Sequence, residues 1–197
     1  LFLAAGSVII ALHHEQDMRR MGGLRKYMPI TYWTMVIGAI SSAGIPGFAG
    51  YFSKDAIIEA LKESHSPGAL FGYLCLVSCV FVTATYTFRM LFMAFHGAPR
   101  FDASHPPHES PAVVTAPLLL LAIPSVVAGY YVGPVVFGHF FGPAVPPTHG
   151  EFHGVVAYML HGLVSLPFWL AVAGIATAYL LYLKRTDLPK RVAKALG

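Results

Sequence analysis

Charge is what this sequence has least of. Asp, Glu, Lys and Arg make up 11% of its 197 residues, against about 25% in soluble domains. That argues against a water-facing globule. Cysteine is scarcer still. Cys75 and Cys79 are the two present, four apart in an apolar run and so on one helix face. They read as packing residues, because a zinc or iron–sulfur site needs more ligands. The chain also lacks an internal repeat, a glycine-rich phosphate loop, a nucleophilic triad pattern and any cofactor motif. No cofactor, metal or redox chemistry is therefore expected in this chain. A signal peptide fits poorly, since no basic segment precedes the first apolar run and no small-residue cleavage site follows it.

What is abundant is apolar sequence, 56% of the residues. A bilayer core about 30 Å thick needs about 20 apolar residues as helix. Four blocks approach or exceed that length: 30–52, 69–95, 112–136 and 162–183. A fifth, 1–12, is too short to span. The sequence opens inside that run without Met, and the run reads as the rest of a helix whose upstream part is missing. The expected fold is all-α, a polytopic transmembrane helix bundle over 1–183. The tail, 184–197, reads as the start of an amphipathic helix on the membrane surface.

The basic residues alternate with the blocks. With the loops assigned to alternate sides, one side receives Arg19, Arg20, Arg25, Lys26, Arg100, Lys184, Arg185, Lys190, Arg191 and Lys194, and the other only Lys62. The positive-inside rule makes the first side cytoplasmic, with the first loop, the 97–111 loop and the tail on it. A basic patch for nucleic acid explains neither the alternation nor the apolar blocks, so no nucleic acid is expected as a partner.

The second block carries a break. In "SSAGIPGFAGYFSKD", Gly44, Pro46, Gly47 and Gly50 interrupt the helix, and Lys54 and Asp55 follow at once. As one helix, 30–63 would be about 51 Å long at 1.5 Å per residue, so it must bend, break or leave the membrane. Two readings stand. Lys54 emerges at the far interface, or the break lies at membrane depth and Lys54 faces a hydrated cavity. Unwound backbone inside a bilayer survives only against protein or water, and Ser41 and Ser42 would help to hold that water. Ser53 would cap the second half-helix and place Lys54 in its first turn. There burial and the positive helix end oppose its charge, while Asp55 favours it. Intramembrane ionisable groups are functional candidates by default.

The remaining signals are weaker. Tyr27, Tyr32 and Trp33 sit where an aromatic belt is expected. Arg89 falls near the cytoplasmic end of the third block and either snorkels to the headgroups or pairs inside the bundle. His96, His105 and His108 surround two prolines without helical spacing, which favours an irregular loop over a metal site. The segment 137–161 reads as a loop, and Gly174 with Ala178 offers a small-residue packing face.

Four motifs in order, "HHEQDMRRMGGLRKYMP", "GIPGFAGYFSKD", "FRMLFMAFHG" and "HESP", resemble the subunit L (mitochondrial subunit 5) family of proton-pumping NADH:quinone oxidoreductase, respiratory complex I. The resemblance covers nearly the whole chain. It implies an antiporter-like membrane-arm subunit of the bacterial inner membrane, coupling quinone reduction to proton movement through buried ionisable residues. Partners would be other membrane-arm subunits, above all the adjacent subunit M-like one, and the lipid bilayer. It further implies that the discontinuous helix carries a lysine–aspartate pair at the outlet of a proton path, which maps onto Lys54 and Asp55. Subunit M usually has glutamate at that lysine. The Mrp Na⁺/H⁺ antiporters share the lysine and form the alternative. The family's inlet glutamate, its first broken-helix lysine and a histidine–lysine pair would lie upstream of Leu1. His13 and His14 would then stand at a cytoplasmic helix end, outside the buried row. The family's long lateral helix would begin near Lys190.

Overall fold

A computed structural model describes residues 1–102, 105–137 and 154–196. Its elements are helices: α1 (Phe2–Ala11), α2 (Pro29–Ala43), α3 (Ala49–Glu63), α4 (Ala69–Phe95), α5 (Ala112–Phe137), α6 (Val155–Val164), α7 (Leu166–Tyr179) and α8 (Asp187–Leu196), with no strand among the described residues. The fold is an all-α bundle with a discontinuous helix. Three helical stretches are long and apolar enough to cross a membrane, Ala69–Phe95, Ala112–Tyr131 and Leu166–Lys184. Helices α2 and α3 have 15 residues each, about 22 Å at 1.5 Å per residue, so neither spans a bilayer core alone.

Helix α4 is flanked by α2 and α3 on one side and by α7 on another, while α5 closes over α2 and α3. The α4–α7 seam is close because its residues are small. Ala171, Gly174 and Ala178 are buried there. A Cβ on Gly174 would lie 2.6 Å from the Phe81 carbonyl oxygen and 2.9 Å from the Ala84 Cβ. Cys75 and Cys79 depart from the packing expectation: both are exposed in this chain, on a face of α4 shared with Phe71 and Leu74. Tyr32 departs from the aromatic belt. It is buried, with the Arg25 guanidinium 5.1 Å over its ring, while Trp33 remains outside.

Two further expectations are corrected at the C-terminal end. The block 162–183 is not one helix, because Ser165 is extended between α6 and α7. Pro167 is the cause: it has no N–H to give to the Leu163 carbonyl of α6, and its ring would clash with that carbonyl in a continuous helix. It therefore starts α7. The loop expected over 137–161 also contains helix, since α6 begins at Val155. Residues 138–153, with His139, His149 and His153, lie outside the described residues.

The basic segments meet at one end of the bundle. Arg100 Nε donates to the Arg19 carbonyl at 2.9 Å. The Gly23 N–H donates to the His96 carbonyl at 3.2 Å. Gly22 has φ +145° and faces the Ala98 carbonyl so closely that no Cβ fits. The Gly22-Gly23 pair thus lets the first loop lie directly on the loop after α4.

That end also anchors α2. Pro29 opens the helix and Met28 offers no side-chain cap. The carboxylate of Glu109, from the loop before α5, accepts hydrogen bonds from Ile30 N at 2.7 Å, Thr31 N at 3.3 Å and Thr31 Oγ1 at 2.6 Å. Ser7 Oγ of α1 bonds Thr31 Oγ1 at 2.9 Å and Ser110 Oγ at 2.6 Å, and all three hydroxyl residues are buried. One carboxylate therefore caps the helix, favoured there by its dipole, and joins α1, α2 and the start of α5. Removing it as Glu109→Ala is expected to cost about 1–2 kcal/mol, with Glu109→Gln recovering part. Thermal unfolding of the detergent-solubilised subunit would show this, and an unchanged midpoint for the alanine variant would refute the cap. Gly174→Val is expected to cost about 1–3 kcal/mol by overpacking in the same measurement, whereas Ala173→Val, one residue away on the exposed face of α7, is expected to change little.

Candidate functional site

The break between α2 and α3 is a capped helix end. Gly44 has φ +76° and ψ +36°, a left-handed conformation glycine adopts without steric cost. Its N–H donates to the Ser41 carbonyl at 3.1 Å, and the Ile45 N–H to the Ile40 carbonyl at 3.3 Å. This pair of bonds is the Schellman termination. Gly47 is also left-handed, at φ +96°. Pro46 gives no backbone N–H to continue the helix. Gly50 then brings the start of α3 against α2. Its N–H donates to Ser41 Oγ at 3.2 Å, and a Cβ there would strike the Ser41 carbonyl oxygen.

Lys54 uses what this termination leaves over. Its Nζ donates to the Ser42 carbonyl oxygen, one of the last carbonyls of α2, which lack intrahelical partners. The sequence-based placement of the cap is corrected here. Helix α3 begins at Ala49 with Phe48 as its N-cap, because Gly50 must pack under Ser41. Ser53 is therefore interior and donates to the Gly50 carbonyl at 3.3 Å. Lys54 stands in the second turn of α3 and points back to the C-terminal end of α2. That end carries partial negative charge and attracts a cation. The Lys54 stem passes Gly44, where a Cβ would be 3.4 Å from Cδ.

Lys54 and Asp55 both line a small cavity with Gly44, Tyr51, Ser165 and Pro167. Its space of about 10 Å³ for a water centre is room for about one molecule. Asp55 is 6% exposed, and the Tyr51 and Tyr158 phenols both face its carboxylate. Tyr51 Oη donates to the Tyr158 carbonyl at 3.0 Å. Phe52 packs on Tyr51 at 5.4 Å and Tyr158 at 5.9 Å. Gly162 is required beneath this cluster, since a Cβ there would strike the Tyr51 hydroxyl. Among the described residues the ion pairs are Arg19–Asp17 and Arg20–Glu15. Both are in the first loop, so among the described residues the buried Asp55 carboxylate is in no ion pair and faces the two phenols.

The structure thus brings Ser41, Ser42, Gly44, Gly50, Lys54 and Asp55 together, with Pro46 and Gly47 in the connecting turn. It leaves two candidates elsewhere. Arg89 lies at the loop end of α4, with its guanidinium 5.2 Å over the Tyr182 ring. His13 follows the C-terminus of α1 at φ +52°, its ring edge-on to His105 at 5.8 Å. Among the described residues no three His, Cys, Asp or Glu side chains are placed to hold a metal ion. Sequence reasoning missed Tyr51, Tyr158 and Glu109. Tyr51 was the most accessible of these, four residues before Asp55 on one helix face. Glu109 had no local signal beyond its place in "HESP".

Comparison with known proteins gives the family. Residues 1–95 match the family described as NADH:quinone oxidoreductase/Mrp antiporter, TM. The NADH-quinone oxidoreductase subunit L of Neisseria meningitidis serogroup A is 46% identical over 99% of the chain and 33% of its own length. That of Mycobacterium tuberculosis is 41% identical over 92% of the chain and 28% of its own length. NADH-ubiquinone oxidoreductase chain 5 of the alga Chondrus crispus is 38% identical over 89% of the chain and 28% of its own length. The chain spans about a third of the length of the curated relatives it matches. Its four motifs, its discontinuous helix and these relatives agree, and the chain belongs to the NADH:quinone oxidoreductase/Mrp antiporter membrane family, on the subunit L/chain 5 branch.

Proposed function

We propose that this chain holds the outlet end of a proton path in a subunit L-type membrane-arm subunit of NADH:quinone oxidoreductase, with Lys54 as the proton-exchanging group and Asp55 as its tuner. The observation that carries the reading is the Lys54 ammonium on the free Ser42 carbonyl, beside a water-sized cavity and a buried carboxylate. A lysine stem is flexible and its three donors are rotatable. Protonated, Lys54 caps α2. Deprotonated, it no longer balances the partial negative charge there, and its amine can turn to the cavity. A charge arriving upstream alters the balance between the two states, and each tenfold change in proton affinity corresponds to about 1.4 kcal/mol. A nearby charge in a poorly screened site supplies several kcal/mol. The redox reaction belongs to other subunits, and this chain supplies translocation. The basic end of the bundle faces the cytoplasm of a bacterial cell by the charge rule. The partners are neighbouring membrane-arm subunits, a subunit M-like one adjacent.

The alternative within the family is an Mrp-type Na⁺/H⁺ antiporter subunit. The named relatives favour the oxidoreductase. Co-purification with flavin and iron–sulfur subunits separates the two.

Lys54→Ala in the intact, assembled complex is expected to depress proton pumping strongly while the electron-transfer arm still assembles. Pumping at the parental rate in a correctly assembled variant would sink the assignment. Gly44→Ala tests the turn itself. It forces a Cβ into left-handed backbone at about 1–2 kcal/mol and crowds the Lys54 stem. The expected result is reduced pumping with a lower unfolding midpoint, whereas Gly6→Ala, in open space on α1, leaves both near the parental values.

A further inference from the structure

A cleft far larger than the cavity at the break lies elsewhere. It opens at the basic end, between the last turns of α4, the turn Leu180–Lys184 and the start of α8, with a volume of about 1050 Å³. Arg89, Arg100, Arg19 and His96 line it, facing Phe92 and Tyr182, and no Asp or Glu is among the described residues that line it.

Two of the cations in it, Arg89 and Arg100, are held in place without being neutralised among the described residues. Arg100 donates to the Arg19 carbonyl at 2.9 Å and the Met93 carbonyl at 2.8 Å, partners that carry no formal charge. Arg89 lies over the Tyr182 ring, a contact that fixes the guanidinium and leaves its N–H edges open. Neither has a carboxylate within ion-pairing distance among the described residues, whereas Arg19 is paired with Asp17 at 2.8 Å. Burial holds the His96 imidazole below its usual range, with Arg25 adding to the effect. Positive charge at neutral pH therefore comes from the arginines.

The walls identify the ligand class. Arg89 stands before the last turns of α4, which ends at Phe95, and so lies about 9 Å below that end at 1.5 Å per residue. The headgroup layer on each side of a bilayer is about 5–8 Å deep. With the end of α4 at the water surface, Arg89 stands near the boundary between headgroups and hydrocarbon. Phe92 and Leu181 continue the cleft as apolar surface, and Leu188 and Pro189 at the start of α8 complete its lining. A soluble phosphate needs the arginines but not the apolar wall. A neutral lipid needs the wall but not the arginines. We propose that this cleft binds an anionic phospholipid, its phosphate between Arg89 and Arg100 and an acyl chain along Phe92 and Leu181. Basic pockets between membrane helices recognise phospholipid headgroups by the same chemistry. The proposal is independent of the role of Lys54.

The test uses the intact complex in nanodiscs of phosphatidylcholine containing a minority of photoreactive phosphatidylglycerol, with crosslinked peptides mapped by mass spectrometry. Labelling is expected on 89–93 and 181–183, reduced about fivefold by Arg89→Gln, restored by Arg89→Lys, and insensitive to excess inorganic phosphate. Lys62→Gln, a basic residue on α3 outside the cleft, controls for general loss of charge and should leave labelling unchanged. Equal labelling by photoreactive phosphatidylcholine, no labelling of these segments, or no effect of Arg89→Gln would each overturn the proposal. Competition by inorganic phosphate would overturn it in favour of a soluble anion.

Discussion

A bilayer supplies no water to satisfy free backbone groups, so each must find a partner within the protein. Helix α2 meets this constraint at both ends, because its 15 residues are too few to reach both surfaces and it stops next to another helix. Its N-terminal donors are taken by Glu109, from 79 residues away in sequence. Its C-terminal carbonyls are taken by the turn at Gly44 and then by Lys54. Both ends of one helix are closed by ionisable side chains from other elements. The close approach of α3 at Gly50, the packing of α5 over both helices and the burial of the Ser7–Thr31–Ser110 hydroxyls follow from those two closures.

The parts of this structure legible in sequence are those that depend on local chemistry. Block length predicts the long helices at 69–95 and 112–136 because a bilayer sets a length scale. Glycine and proline predict the break at 44–50 because left-handed backbone and a missing N–H leave few choices. What could not be read depends on partners distant in sequence. The cap on α2 is one case: Met28 has no capping side chain, and nothing near Pro29 points to Glu109. The placement of Lys54 is the second. From sequence, Ser53 is the better N-cap, which sets the lysine against the positive end of α3. In space, Gly50 lets α3 start at Ala49, more than a turn earlier, and the lysine meets the negative end of α2. The sign of the local field on Lys54 is thereby reversed. Ser165 is a third case, where an uninterrupted apolar block hides a proline that restarts the helix.

The charge pattern along the chain gains a physical meaning from the fold. Alternation of basic loops is a statistical rule about orientation when read from sequence. In the structure residues from two of these loops are in contact, with Arg100 on the Arg19 carbonyl and both lining one cleft. The basic end is thus a continuous surface, formed by the first loop, the loop after α4 and the turn that leads into α8. Carboxylates within it are consumed locally. Hydrogen bonds from Arg19 hold the Asp17 carboxyl below its usual range, and the Asp17 N–H does the same for Glu15. Among the described residues Arg89 and Arg100 of the cleft are left unmatched.

The reversal of the field at Lys54 also bears on how such a group can work. A lysine buried against a positive helix end would be held neutral, and a cation would have to be forced on it. A lysine on the carbonyl end of α2 has a reason to hold its proton, because the ammonium satisfies Ser42 and the helix end together. Release therefore needs an opposing influence and a substitute partner for Ser42. The cavity provides room for about one water, enough to take over that hydrogen bond. In the proposed cycle the proton leaves when an approaching charge outweighs the attraction of the helix end, and water covers the carbonyl until the ammonium returns. The side chain that closes the broken helix is then the one that carries the proton, so protonation and the geometry of the break cannot change separately.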